Sequence, residues 1–281
     1  MIRAEHREID GAVGFAELSG DGIPLLCIHS AGQSGVQWRE VLRDLPAHGY
    51  RVIVADLPGH GRSDNLPSGP VGDLRRYAAW LAELLHDLGA DHPLVAGCSI
   101  GGKIALELAA DPAVAPRAVV AMAADARNSR LSVRALERSL EDAASPSRAD
   151  RTYLGTLACV GSRVPAERAE AIAAMHRRED PVVSTMDLIA WTEHDLRPRL
   201  AEIACPVRLV AGEDDFWIDL DDVAWAAGQI PDCTYDPLPG IGHYPMEEIA
   251  DFPQVLAGWL GELTAGATAA PPPAQASRGA G

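Results

Sequence analysis

The chain has 281 residues, of which 47% are hydrophobic and 23% are charged, and its formal net charge at pH 7 is −16. This length is sufficient for one large domain or two small ones with a sizeable core. The acidic balance, without a basic stripe interleaved with aromatic residues, excludes a nucleic-acid-binding surface, because such surfaces need clustered Lys and Arg.

Metal, cofactor and membrane signals are missing from the sequence. The five cysteines lack CxxC spacing, so neither a zinc site nor a disulfide framework is predicted. No HExxH, Walker-type or dinucleotide-binding motif occurs, and we expect no metal and no cofactor. Because the N-terminus has no apolar signal segment and no apolar run approaches the length of a membrane span, we expect a cytoplasmic protein. Lys103, the one lysine, is expected on a helix surface.

The predicted elements begin with a hairpin and continue as alternating strands and helices. HREIDGAVGFAELSG predicts a hairpin with its turn at Asp10 and Gly11. The runs IPLLCIHS, RVIVADL, PLVAGCS, RAVVAMAA and VRLVAGE are typical of strands buried on both faces of a parallel sheet. The stripe in DLRRYAAWLAELLHDLG predicts an amphipathic helix that ends at Gly89. The class is therefore α/β with a mostly parallel central sheet.

The alternation stops in one long segment. Residues 127–206 show helical patterns without a clear strand, and we interpret them as a helical lid inserted between two strands. Residues 1–126 and 207–263 would form the α/β core. Residues 264–281, which are Pro-rich and of low complexity, are predicted to be a disordered tail.

GCSIGG marks the candidate nucleophile. Residues 97–101 match G-x-S-x-G, with a predicted strand before and a helix after, which is the context that this motif requires. The glycines would permit a sharp turn that projects the hydroxyl of Ser99 at the carboxyl edge of the sheet. The Ile100 amide, directly after the serine, is one candidate donor to an oxyanion, and Ala31 in the loop IHSAGQSG is the other.

A serine nucleophile needs a base and an acid that orients it. His243 lies in the glycine-containing loop PGIGHYPMEE before the last predicted helix, where it could serve as the base. The strand VRLVAGEDDF ends in two adjacent acids, of which Asp215 is preferred over Asp214 for its spacing from Gly212. Asp125, at the end of RAVVAMAA, is a further candidate for the acid.

The chain resembles the α/β-hydrolase superfamily from about Gly22 to Leu263. IHSAGQ resembles the family's oxyanion loop, DLPGHGRSD the loop after the next strand, and GEDD with GIGHYPMEE the acid and base segments. The resemblance implies a triad of Ser99, Asp215 and His243, with Ala31 and Ile100 as oxyanion donors.

Two features of these motifs bear on the reaction. Ser30 stands where many members of the superfamily have glycine. Enol-lactone hydrolases likewise have a residue other than glycine at this position. Haloalkane dehalogenases and epoxide hydrolases of this fold use an aspartate at the bend, so Ser99 argues against both.

The predicted function is hydrolysis of an ester or lactone of a small to medium organic molecule through an acyl-enzyme. The alternatives on the same fold are a carbon–carbon bond hydrolase of a diketone, a non-hydrolytic enzyme such as a cyclase or acyltransferase, and a non-catalytic ligand-binding protein. The expected partner is a small molecule, and the sequence indicates no oligomeric state. The residues expected to line the substrate pocket are Ser30, Met122, Asp125 and Trp191.

Overall fold

The computed structural model describes residues 1–128 and 130–267 and has one eight-stranded sheet at its centre. The strands are β1 (Ile2–Ile9), β2 (Ala12–Ser19), β3 (Ile23–Ile28), β4 (Tyr50–Asp56), β5 (Leu94–Cys98), β6 (Ala118–Met122), β7 (Val207–Gly212) and β8 (Cys233–Leu238). Their spatial order is β1-β2-β4-β3-β5-β6-β7-β8. β3 to β8 are parallel, and β1 and β2 form the predicted antiparallel hairpin at one edge. The α/β class with a mostly parallel sheet is thus confirmed.

Helices cover both faces of this sheet. They are α1 (Arg39–Asp44), α2 (Leu74–Asp87), α3 (Ile100–Ala109), α4 (Val133–Glu141), α5 (Arg148–Cys159), α6 (Ala166–His176), α7 (Pro181–Glu193), α8 (Leu220–Ala227), α9 (Pro245–Glu248) and α10 (Phe252–Ala267). α2 begins where the Asp73 side chain accepts a hydrogen bond from the Arg75 amide, which satisfies one of the unpaired N–H groups at the helix start. In the part of the chain that the structure describes, no helix is both long and apolar enough to cross a membrane.

The segment between β6 and β7, residues 123–206, carries four helices, α4 to α7, and is called the insert below. α4 and α7 pack together, as do α5 and α6, and α7 also contacts α2 and α3 of the core. The insert therefore stands beside the carboxyl edge of the sheet, where parallel α/β proteins bind ligands.

Two expectations from the sequence need correction. The final helix continues to Ala267 and so includes the first four residues of the predicted tail, while residues 268–281 lie outside the described residues. Lys103 is fully buried instead of lying on a helix surface, because α3 is covered on all sides. Its Nζ lies 2.9 Å from Asp125 Oδ1 and donates to the Trp191 carbonyl at 3.2 Å. Burial lowers the pKa of Lys103, and Asp125 opposes that effect.

Candidate active site

Ser99 occupies a sharp turn between β5 and α3. Its backbone has φ 59° and ψ −119°, a conformation that costs a non-glycine residue energy and that clusters at functional sites. The Ser99 amide donates to the Met122 carbonyl at 2.9 Å and so fixes the turn to the neighbouring strand. A Cβ on Gly97 would collide with the Gly101 carbonyl, and one on Gly101 would collide with the Ile28 carbonyl. The glycines of the motif are thus required by close backbone approach.

His243 and Asp215 form a buried pair. His243 Nδ1 lies 2.7 Å from Asp215 Oδ2, and the other carboxylate oxygen accepts a hydrogen bond from the Trp217 amide at 2.8 Å. Since an ionised carboxylate only accepts, Nδ1 carries the proton and Nε2 is left as the acceptor. This is the tautomer that a general base acting on a serine hydroxyl requires.

The other two candidate acids lie elsewhere. Asp214 is exposed and accepts a hydrogen bond from the Ser162 amide at 2.6 Å. Hydrogen bonding by the Ser162 side chain, and then by its amide, lowers the pKa of Asp214. Asp125 is paired with Lys103 of α3, at 2.9 Å. Of the three carboxylates weighed from the sequence, only Asp215 hydrogen-bonds the His243 ring.

A carboxylate that sequence reasoning did not identify holds the His243 loop, residues 239–244. Glu248 Oε2 accepts hydrogen bonds from the amides of Gly242 at 2.6 Å and Gly161 at 2.9 Å, and Oε1 accepts one from the Tyr244 amide at 2.9 Å. Burial raises the pKa of Glu248, and the three amides oppose that effect. In the sequence Glu248 is seen only as the second glutamate of HYPMEE, shortly after the candidate base.

Two backbone amides are available beside Ser99. The Ile100 amide is in the first turn of α3 and has no intrahelical acceptor. In the β3 loop, residues 29–34, Ser30 donates its amide to Gln37 Oε1 and Gly32 donates its amide to Asp187 Oδ2, both at 2.9 Å. Among the described residues, none accepts a hydrogen bond from the intervening Ala31 amide.

His29 is a structural residue at the end of β3. Its Nε2 accepts a hydrogen bond from the Leu57 amide at 3.0 Å, and its ring packs on His60 with centroids 4.8 Å apart. Burial lowers the pKa of His29 to about 4. The ring therefore remains neutral at pH 7. Its contacts with Leu57 and His60 connect the β3 loop to the loop after β4.

A cavity of about 280 Å³ joins these groups at the carboxyl edge of the sheet. It is lined by Ser99, His243 and Tyr244 of the core, by Ser30, Ala31 and Gln33 of the β3 loop, and by Trp217. The insert supplies the remaining lining, which is Arg148, Arg151, Thr152, Gly155, Thr156, Cys159, His176, Glu179, Ser184, Leu188 and Trp191. Six of these lie on one face of α5, so this helix forms a wall of the cavity.

Of the four residues expected to line the substrate pocket, the structure places two on this cavity and two elsewhere. Ser30 and Trp191 line the cavity. Met122 is fully buried within β6, and Asp125 faces Lys103, so neither belongs to the described lining. Met122 ends β6 and Asp125 lies three residues after it, in a stretch that packs against Gly102 of α3.

His176 is the pocket residue that sequence reasoning missed most completely. It comes from α6 of the insert, and its Nε2 lies 2.7 Å from Glu247 Oε2. Tyr244 stands between the two histidines, with ring centroids 4.5 Å from His176 and 5.0 Å from His243. The cavity therefore has one histidine–carboxylate pair in its core wall and another anchored in the insert.

Comparison with known proteins identifies the fold independently. A family model described as the alpha/beta hydrolase fold matches residues 23–179. A protein of Rhodobacter capsulatus named "Magnesium-chelatase 30 kDa subunit" is 33% identical over 252 residues, which cover 85% of this chain and 87% of that protein. A "Putative non-heme haloperoxidase" of Mycobacterium phage D29 is 34% identical over 110 residues, and the match spans 38% of each chain.

Solved structures agree on the fold. The enol-lactonase from Burkholderia xenovorans LB400 is similar with a TM-score of 0.80 and 21% identity, covering 92% of this chain and 100% of that one. A thermophilic esterase from Thermogutta terrifontis is similar with a TM-score of 0.81 and 22% identity, covering 93% and 99%.

Proposed function

Because the chain belongs to the α/β-hydrolase family, we propose that it is a serine hydrolase that cleaves an ester or lactone of a small to medium organic molecule. The observation that carries this proposal is the joint placement on one cavity of Ser99, in its strained turn, and of His243, whose Nδ1 is held by Asp215. The names of the similar esterase and enol-lactonase point to the same class of bond.

The first half of the reaction forms an acyl-enzyme. Ser99 Oγ attacks the carbonyl carbon, and its proton passes to His243 Nε2. Asp215 holds the imidazole in the required tautomer and stabilises the cation that forms. The Ile100 and Ala31 amides bind the oxyanion. His243 then gives the proton to the departing alcohol oxygen as the carbonyl re-forms.

The second half releases the acid. His243 takes a proton from a water molecule, whose oxygen attacks the acyl carbon. Collapse of this second intermediate breaks the bond to Ser99 Oγ, which receives the proton from His243. No net oxidation or reduction occurs, and the products are an acid and an alcohol, or a hydroxy acid when the substrate is a lactone.

Intact-mass analysis after fluorophosphonate treatment tests the nucleophile. We expect one adduct on the wild type and on Ser184→Ala, which removes another serine of the same cavity, and none on Ser99→Ala. A wild type that folds but takes no label would contradict the proposal. Assays with matched esters, lactones and diketones would then determine which bond is cleaved.

A second candidate function follows from the similarity to the protein named a magnesium-chelatase subunit, since that match covers most of both chains. In this candidate the chain acts together with a magnesium chelatase. Its test is co-purification of the wild type and Ser99→Ala with the other subunits of such a chelatase. A complex that both proteins form would support it, and the absence of any complex would contradict it.

A further inference from the structure

The Ala31 amide is flanked by two residues that the insert holds, one directly and one through a chain of side chains. On one side Gly32 donates its amide to Asp187 of α7. On the other side Ser30 is fixed by Gln37, which is bonded to Glu247 and through it to His176 of α6. Neither hold was visible in the sequence, because Gly32 and Asp187 are 155 positions apart and Gln37 and Glu247 are 210 positions apart.

Asp187 is the direct hold. Its side chain is completely buried, and Oδ2 accepts hydrogen bonds from the Gly32 amide at 2.9 Å and from His60 Nε2 at 2.8 Å. Oδ1 accepts one from the Tyr77 hydroxyl at 2.8 Å. A buried carboxylate is tolerated only when it is satisfied in this way, and charge-assisted hydrogen bonds are the stronger class.

Gly32 packs against the insert so closely that no side chain can be accommodated there. Its φ is +66°, in the left-handed region that favours glycine, and a Cβ there would lie 2.7 Å from Ser184 Cβ and 2.8 Å from Glu179 Oε2. The insert thus limits the position of the loop backbone through packing as well as through the hydrogen bond to Asp187.

Gln37 is the centre of the indirect hold. Its Oε1 accepts hydrogen bonds from the Ser30 amide at 2.9 Å and from the Ser30 hydroxyl at 3.0 Å. Its Nε2 donates to Glu247 Oε2 at 2.8 Å, the same oxygen that lies 2.7 Å from His176 Nε2. All four side chains are buried. Ser30, the residue that replaces the usual glycine, supplies the hydroxyl of this chain.

We propose that the insert sets the oxyanion donor of this enzyme, with Asp187 and Gln37 as positioning residues that hold Ala31 from its two neighbours. The inference rests on the proposed function, because it assigns the Ala31 amide to the oxyanion. Such a donor is effective only when it is fixed in place before charge develops. A docked insert is therefore needed for a complete oxyanion site as well as for a closed cavity.

Amide hydrogen exchange tests the hold without requiring catalysis. In Asp187→Ala the peptide that covers residues 29–34 should exchange at least about ten times faster, because the Gly32 amide loses its acceptor. Asp187→Asn keeps an oxygen for Gly32 and offers an amide donor to the Tyr77 oxygen, so protection should return. Tyr77→Phe removes a hydrogen bond to the same carboxylate without touching the loop, and protection there should remain.

Labelling kinetics test the consequence. The rate constant for fluorophosphonate reaction at Ser99 should fall about 10- to 100-fold in Asp187→Ala, since the phosphoryl oxygen takes the place of the oxyanion. It should recover in Asp187→Asn and be unchanged in Tyr77→Phe. If Asp187→Ala does not fold, Gln37→Leu answers the same questions from the Ser30 side.

The outcomes separate this proposal from the proposed function. Exchange that rises equally throughout the chain in Asp187→Ala and Tyr77→Phe, or does not rise at residues 29–34, would overturn the hold. Faster loop exchange with an unchanged labelling rate would overturn the positioning role. A wild type that takes no label would refute the proposed function, while the exchange data would still decide whether the insert holds the loop.

Discussion

The core wall and the insert wall of the cavity are built by different means. In the core wall, Ser99 and the Ile100 amide are placed by backbone, through strand pairing and glycines that leave no space for a side chain. The insert wall is placed by a few buried polar side chains, among them Asp187 and His176. A site can thus combine a candidate nucleophile on a rigid backbone with surroundings whose position depends on individual hydrogen bonds.

The largest effect should come from breaking the core wall at Asp215. Asp215→Asn reverses the hydrogen bond to His243 and favours the wrong tautomer, so kcat should fall by about 10⁴. Asp214→Asn is a matched control, because the Asp214 carboxylate is next in sequence but contacts Ser162 instead of the histidine. Steady-state kinetics on an ester that the wild type cleaves is the measurement. Equal losses in both variants would contradict the assignment of Asp215.

The contact between α3 of the core and α7 of the insert is tested at Lys103, which donates to the Trp191 carbonyl. Lys103→Met leaves Asp125 buried without its cation, and the free energy of unfolding should fall by about 3–5 kcal/mol. The double variant Lys103→Met with Asp125→Leu should recover most of that loss, because no uncompensated charge remains. Urea unfolding monitored by circular dichroism measures both. A double variant that is no more stable than Lys103→Met would contradict this account.

The end of the insert should make stability depend on pH through His194. Burial, and then Lys103, lowers the pKa of His194 to about 3 from an ordinary value of 6.5. Between these values the unfolded chain binds the proton and the folded chain does not. The neutral His194 therefore leaves the free energy of unfolding at its full value above pH 6.5. Below that pH the free energy of unfolding falls as the pH decreases toward 3, by up to about 1.4 kcal/mol per pH unit.

His194→Asn is the variant that isolates this contribution. Urea unfolding between pH 4 and 7 should show a shallower dependence in His194→Asn than in the wild type. His86→Asn, on an exposed turn of α2, should leave the wild-type dependence unchanged. Parallel profiles for all three proteins would show that His194 is not the residue responsible.

The smallest effect should come from Gly155, which lies on the cavity face of α5. A Cβ there would meet no atom within 4 Å, and glycine in a helix interior costs about 0.5–1 kcal/mol relative to alanine. Gly155→Ala should therefore raise the melting temperature by a few degrees. Gly102→Ala in α3 is the contrasting change, since its Cβ would lie 2.7 Å from Ala124 Cβ and should destabilise the protein. Calorimetry of both variants checks the prediction.

The sequence predicted what depends on local patterns. Apolar runs gave the central strands, and G-x-S-x-G together with its strand and helix gave the turn at Ser99. The preference for Asp215 over Asp214 also followed from local spacing, and the structure brings that side chain to His243.

What the sequence did not reveal depends on distant partners. A single lysine in a helical pattern predicts a surface residue. Lys103 is buried because α3 packs against the end of α7, which the sequence does not show. Asp187 and Glu247 were not identified from the sequence, because their partners His60 and Gln37 lie on other elements. Met122 and Asp125 were misplaced because the end of a strand does not indicate which way its side chains turn.

The contact between the His243 loop and the end of α5 limits how this protein can be redesigned. A Cβ on Gly242 would collide with the Cys159 carbonyl, and one on Gly161 would collide with the Gly240 carbonyl. The two segments touch backbone to backbone, so neither glycine can vary without separating the His243 loop from α5. Libraries that aim at a new substrate range should leave these positions constant and diversify the α5 face, where Thr152 and Gly155 border the cavity.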